Sequence, residues 1–242
     1  MIMTRQKVRK TLLIISFIIF PATFYYLSPA LIIEGTLKGI IAGSFICFVL
    51  LFVSSLFLGR AYCGWVCPAS GIQNDIMQVN DKKIRKGNAI KWFIWTPWIL
   101  TTILLAIKRG GYEKIDPLYQ TTHGFSIGNI YALFTYLIVL AIIVIPAFIF
   151  GRRSFCHHIC WMAPFMIIGR KLSNQIKLPS LQLISKPEKC VNCHTCTTNC
   201  PMSLPVEQMI HTDTENTECI LCGTCVDGCK SKAIDFQFKA KK

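Results

Sequence analysis

Two runs near the C-terminus share one cysteine spacing, and that spacing leaves the last quarter of the chain little conformational freedom. The first is Cys190-Val-Asn-Cys193-His-Thr-Cys196-Thr-Thr-Asn-Cys200-Pro201, and the second is Cys219-Ile-Leu-Cys222-Gly-Thr-Cys225-Val-Asp-Gly-Cys229. Both read C-x2-C-x2-C-x3-C, which lets three thiolates in a tight turn hold three corners of a [4Fe–4S] cubane. The x3 interval carries the fourth cysteine out of reach of its own cubane, so each half completes the other. The expected ligand sets are Cys190, Cys193, Cys196 with Cys229, and Cys219, Cys222, Cys225 with Cys200. Zinc would use two separated C-x2-C pairs around one tetrahedron and leaves half of these cysteines without a task. A disulfide framework needs an oxidising compartment. Cys190-Val-Asn-Cys193-His194 also matches the c-haem attachment pattern, but the second half has Gly223 where the histidine would stand.

Composition divides the chain. It is 52% apolar and only 16% charged, too apolar for an ordinary soluble domain. Residues 186–242 hold seven Lys and seven acidic residues, so the net charge of +14 sits entirely in the preceding part. There the basic residues alternate with long apolar runs, which marks cytoplasmic loops of a membrane protein rather than a nucleic-acid face.

Four runs are read as spans. Thr11 to Ile33 has twenty-three residues without a charge, behind a basic tail that includes Arg5, Lys7, Arg9 and Lys10. That run exceeds the apolar core of a signal peptide, and Phe24-Tyr25-Tyr26 resembles an interfacial belt. Gly39 to Leu58 has twenty uncharged residues, enough to cross the hydrocarbon. Trp92 to Ile107 has sixteen, so Lys91 and Lys108 are expected to snorkel, or the bilayer to thin. The fourth runs from about Asn129 to Phe150. Basic residues flank the ends that face the N-terminus: Arg60, Lys82, Lys83, Arg85, Lys86 and Lys91 in one loop, and Arg152, Arg153, Arg170 and Lys171 after the fourth span. The expectation is a multi-pass protein of the cytoplasmic membrane, with both termini and the cysteine-rich domain in the cytoplasm.

A fainter repeat closes the second and fourth spans. Gly59-Arg60-Ala-Tyr62-Cys63-Gly-Trp-Val-Cys67-Pro68 is answered by Gly151-Arg152-Arg-Ser-Phe155-Cys156-His157-His158-Ile-Cys160. Each has Gly-Arg, an aromatic residue and C-x3-C, and two parallel hairpins would bring both pairs to one membrane edge. Cysteines at i and i+4 share a face of a helical turn, so each pair could grip a metal or react as thiols. Pro68 suits the first position of a helix whose apolar face is Ile72, Ile76 and Val79. Cys63, Cys67, Cys156 and Cys160 therefore stand as a third metal, cluster or thiol site. His157 and His158 are further ligand candidates with no counterpart in the first copy. Cys47 reads as an apolar filler, and His123 as a residue of the outer loop. Trp161 to Ile168 is apolar but too short to cross.

Taken together, these motifs resemble the membrane-bound polyferredoxins of the NapH type, with NosR and CcoG as relatives. Cys63 and Cys67 match the C-x3-C-P motif of that family in full. Cys160 departs from it, being followed by Trp161, with a proline only at Pro164. The implied architecture is four transmembrane helices in two parallel hairpin repeats (1–175), a linker (176–185), and a small α+β ferredoxin domain with two [4Fe–4S] clusters (186–242). The resemblance implies electron transfer between a membrane donor, a quinol or an integral partner, and an oxidoreductase or maturation partner. No phosphate-cradling glycine loop or nucleophile–base pair accompanies the cysteines, so an electron-transfer component is expected rather than a stand-alone enzyme. Two other functions fit the same residues. One is a metal reductase whose C-x3-C pairs bind a soft ion such as copper, and the other is a redox sensor or assembly factor.

Overall fold

A computed structural model describes residues 5–84 and 87–240. Met1 to Thr4, Lys241 and Lys242 lie outside it, as do Arg85 and Lys86 of the basic loop. Helix α1 (Arg5–Thr23) carries Pro21 in its last turn and gives way to a 3-10 turn at Phe24–Leu27. Helix α2 (Pro29–Leu37) restarts with proline in its first turn, where the missing N–H costs nothing. The first apolar run is thus two helices in series, and Arg5–Leu37 together is long and apolar enough to cross a membrane. Gly39 turns the chain at φ +69°, and β1 (Ile40–Ala42) then pairs in parallel with β2 (Lys114–Asp116). That pairing consumes the start of the second run, so α3 (Gly43–Leu58) has only 16 residues.

Two short helices follow, α4 (Ala61–Trp65) and α5 (Pro68–Ile76). Pro68 starts α5 as expected, and Ile76 is buried, but Val79 lies beyond the helix end and faces outward. Helix α6 (Ile90–Arg109) is longer than the sixteen uncharged residues suggest. Lys91 neither snorkels nor thins a bilayer: it is fully buried in protein, its Nζ donating to both carboxylate oxygens of Glu218 at 2.6 and 2.7 Å. Lys108 and Arg109 occupy the last turn, where cations complement the helix dipole, and Gly110 caps it in the left-handed region. Helix α7 (Ile130–Phe150) begins at Asn129, whose side chain accepts from the Ala132 N–H. Arg5–Leu37, α6 and α7 are the three segments among the described residues long and apolar enough to span, and α3 is shorter but equally apolar. Their outward faces carry Ile18, Phe93, Tyr131 and Ile138, an apolar exterior that suits lipid.

After α8 (Ser154–His158), helix α9 (Ala163–Gln175) lies against α3. Its buried side includes Met166, Ile167 and Gly169, so the short apolar stretch after Cys160 packs inside the protein. Within the 176–185 stretch, Ser180–Ser185 forms β3, antiparallel to β4 (Ile234–Lys239) with Ser180 opposite Lys239 and Ser185 opposite Ile234. Half of that stretch therefore belongs to the cysteine-rich unit. Three small helices complete it: α10 (Thr195–Thr198), α11 (Val206–Thr212) and α12 (Thr224–Gly228).

Candidate iron–sulfur sites

The two C-terminal cysteine runs trace the same backbone path. Asn192 and Leu221 have φ of 52° and 49°, His194 and Gly223 57° and 77°, and Ser203 and Lys232 both 52°. Left-handed residues between the cysteines turn successive N–H groups to one side, the concave arrangement that receives anionic sulfur. It also explains His194, which occupies the position that glycine fills in the second half. Its ring Nδ1 pairs with the Glu207 carboxylate.

The runs differ in depth. Cys200, Cys219, Cys222 and Cys225, one of the two expected ligand sets, line a single cavity with Met202, Leu204 and Ile220. Cys200 is thus drawn away from its own triplet and into the other, as the x3 interval requires. Burial pushes the Cys219, Cys225 and Cys200 thiols up, with neighbouring cysteines adding to the rise. Three of these cysteines are buried and Cys219 is half-buried; four thiolates lining one cavity repel one another unless iron lies between them, and that donor set fits a cubane. The other set is superficial. Cys193 is exposed, while Cys190, Cys196 and Cys229 are half-buried. The Thr195 hydroxyl and N–H lower the Cys193 thiol. For Cys229 burial acts upward but is outweighed by the Ser231 hydroxyl and the Ala233 N–H. Cys229 follows α12, which packs on the α10 that carries Cys196.

The membrane-edge cysteines are all buried, each 3% exposed. They do not share one helical face, because each C-x3-C pair straddles a break between two helices. Cys63 lies in α4 and Cys67 caps α5; Cys156 lies in α8 and Cys160 just beyond it. The two breaks are built alike. The Tyr62 carbonyl accepts from the N–H groups of Val66 and Cys67, and the Phe155 carbonyl from those of Ile159 and Cys160, all at 2.9 Å. Pro164 sits in the first turn of α9 as Pro68 does in α5, so the displaced proline shifts the helix start without removing its function.

Each half also reaches across to the other. Gln73, six residues after Cys67, donates from Nε2 to Cys156 Sγ at 3.3 Å. Met166, six residues after Cys160, places its Sδ 3.9 Å from Cys63 Sγ. Sequence reasoning missed both; the equal six-residue offset was the available signal. Burial, then Cys63 and Cys156, push the Cys67 thiol up to about 12, and Cys160 rises for the same reasons. Among the described residues, no three His, Cys, Asp or Glu side chains converge where one ion could sit. His157 is buried and bonds Asn88 Oδ1 through Nδ1 at 2.6 Å, and its Nε2 has no partner. Burial and the Lys91 ammonium hold it down to about 4, so it is a neutral imidazole at pH 7. His158 instead turns back to the Ser154 carbonyl. Cys47, on α3, is half-buried, and His123 is exposed.

The cavity lined by the second cysteine run is fastened to the C-x3-C segments. A Cβ added at Gly64, the residue after Cys63, would meet the Ile220 carbonyl oxygen at 2.3 Å and Cys222 Cα at 3.5 Å. Trp65 Nε1 donates to the Leu221 carbonyl at 3.0 Å, and Gln6 Nε2 to the Cys222 carbonyl at 3.0 Å. Arg152 donates to the Thr198 and Cys200 carbonyls. Glu218 joins Arg60 to Lys91, and although burial acts upward on its carboxyl, those two cations hold it below the usual range.

Apolar helices of spanning length beneath a double cysteine run of this geometry define a membrane protein carrying [4Fe–4S] ferredoxin domains. A family model described as a 4Fe-4S binding domain matches residues 41–86 and 131–179, and one described as a 4Fe-4S dicluster domain matches residues 189–234. The first covers both C-x3-C pairs. An uncharacterised protein of Methanocaldococcus jannaschii is 26% identical over 98% of this chain and 96% of its own length. The putative electron transport protein YccM of Escherichia coli is 22% identical over 82% of this chain and 56% of its own. The ferredoxin-type protein NapH of Haemophilus influenzae is 25% identical over 73% and 62%. No solved structure matches the chain. Within the ferredoxin class, the chain is similar to ferredoxin-type proteins such as NapH, and the two matched domains support [4Fe–4S] clusters.

Proposed function

We propose that the chain is a membrane-anchored electron carrier with three [4Fe–4S] positions in series. Cys63, Cys67, Cys156 and Cys160 hold the first, at the membrane edge. Cys219, Cys222, Cys225 and Cys200 hold the second, and the exposed set of Cys190, Cys193, Cys196 and Cys229 the last. Four spans in two parallel hairpins keep both termini and the ferredoxin domain on the cytoplasmic side. Electrons pass between a membrane donor, a quinol or an integral partner, and a soluble oxidoreductase or maturation partner that docks at the exposed set. The observation that carries this order is the backbone contact of Gly64, beside Cys63, with Ile220 and Cys222. A copper ion at the same four thiols is the alternative, and the iron count below separates the two. The bound clusters supply one-electron chemistry, while the protein fixes their order, excludes water from two of them and exposes the third.

Full-length protein purified anaerobically in detergent should contain about twelve irons, three cubanes' worth. Cys63→Ser with Cys156→Ser should leave about eight. In that variant dithionite should still reduce the ferredoxin clusters, but donor membranes should not. About eight irons in the wild type, with unchanged reduction by donor membranes in the double variant, would return the four cysteines to packing.

A further inference from the structure

Arg60 and Arg153 hold equivalent places in the two halves. Each stands three residues before the first cysteine of its pair and at the N-cap of the short helix that bears it. Their exposures are 1% and 0%. Their partners differ. Arg60 donates to the Glu218 carboxylate, which Lys91 shares. Arg153 has neutral partners only: the Cys63 carbonyl at 3.3 Å, Ser70 Oγ at 2.9 Å and Asn74 Oδ1 at 3.0 Å. On both arginines the Nε–H is buried without any partner, as is Nη2 of Arg60.

A buried guanidinium costs heavily in desolvation, and neutral oxygens return only part of that cost. Arg60, Lys91 and Arg153 against Glu218, with Arg9 buried on the Gly64 carbonyl beside them, leave a surplus of positive charge in this enclosed shell. Four thiolates around an oxidised [4Fe–4S] core carry two net negative charges, and one more after reduction. The shell thus opposes the charge of such a centre in sign, and the orphaned N–H groups suit a sulfur-rich anion as hydrogen-bond acceptor.

We propose that Arg60 and Arg153 form a charge-matching clamp for the membrane-edge cluster, and that Arg153, having no carboxylate of its own, sets the potential of that cluster. This rests on the reading that Cys63, Cys67, Cys156 and Cys160 hold a [4Fe–4S] cluster. The step concerned is the uptake of one electron, with no bond made or broken and no proton required. The guanidinium favours the more negative, reduced state.

The test is a potentiometric titration of full-length protein by EPR with dithionite and mediators, after iron has been counted. In Arg153→Gln the membrane-edge signal should become harder to reduce by about tenfold in its equilibrium, 59 mV for one electron. The signal of the exposed cluster should not move and that of the second, whose Cys200 also feels Arg153, should move less, and Arg153→Lys should restore most of the shift. Glu218→Gln removes the carboxylate from the same shell and should shift the signal in the opposite direction, which decides the matter if Arg153→Gln fails to assemble. About eight irons in the wild type overturns the cluster reading itself, and the clamp with it. A full complement of about twelve with unmoved potentials in the variants that assemble overturns the clamp alone.

Discussion

Replacing Gly64 with alanine tests the proposed electron path at its narrowest point. The added Cβ would lie 2.3 Å from the Ile220 carbonyl oxygen and 3.3 Å from its carbon, where ordinary contact begins at 3.4 Å. Both neighbours are backbone atoms, so no side chain can rotate away, and the two strands of chain must part by 1.1 Å (3.4 minus 2.3). Overpacking of this kind costs about 1–3 kcal/mol. The same displacement stretches the Trp65–Leu221 hydrogen bond, worth about 1 kcal/mol more. Docking of the ferredoxin domain should weaken by about 2–4 kcal/mol, roughly thirty- to several-hundred-fold. Each cluster keeps its ligands, so iron content should stay at the wild-type level. The assay pairs hydrogen exchange at Ile220–Cys222 with the rate of ferredoxin reduction by donor membranes. Exchange should rise and the rate fall, while dithionite reduces the clusters as before. Intrinsic propensity acts the other way, since alanine in a helix is favoured over glycine by about 1 kcal/mol. A variant as stable and as fast as wild type would therefore refute the close approach. Gly228→Ala is the control, because a Cβ there meets nothing within 4 Å.

Two further expectations are simpler. His194→Gly should retain both ferredoxin clusters and gain stability, because a left-handed side chain costs about 1–2 kcal/mol and its exposed pair with Glu207 returns less than about 1 kcal/mol; covalently bound haem in the wild type would refute this. Reporter fusions after Lys86 and Lys177 should read cytoplasmic and one near Gly124 external, and an external C-terminus would remove the proposed four-span arrangement.

Local signals carried much of the architecture. The cysteine spacing located the buried set that lines one cavity, and Pro68 marked a helix start. Three features escaped, two of them because they depend on partners distant in sequence. The i, i+4 rule placed Cys63 and Cys67 on one helical face, whereas Tyr62 gathers both N–H groups of a chain reversal and ends the helix between them. Counting uncharged residues shortened the third span at Lys91, whose carboxylate partner lies 127 positions away. The same count assigned the second run wholly to a span, yet its first residues pair with β2, a strand too short to announce itself. Gln73 and Met166 were visible only as an equal offset in two halves that otherwise share few residues.

The basic residues carry a second lesson about reading charge. Lys82, Lys83 and Lys171 are exposed, as loop residues facing water should be. Arg60, Lys91, Arg152, Arg153 and Arg170 are buried, and most of their partners lie in the ferredoxin domain or beside the cysteines. The positive-inside rule acts during insertion, when the chain is extended and every such residue counts alike. Under the proposed orientation the same arginines first retain their loops in the cytoplasm. The fold then withdraws them from water, where an uncompensated cation is costly and an anionic partner is required. A basic flank beside paired cysteines therefore contains two populations, and only the side of the chain that each residue finally faces separates them. For Arg153, whose side chain meets only neutral oxygens, the proposed cluster would be that partner.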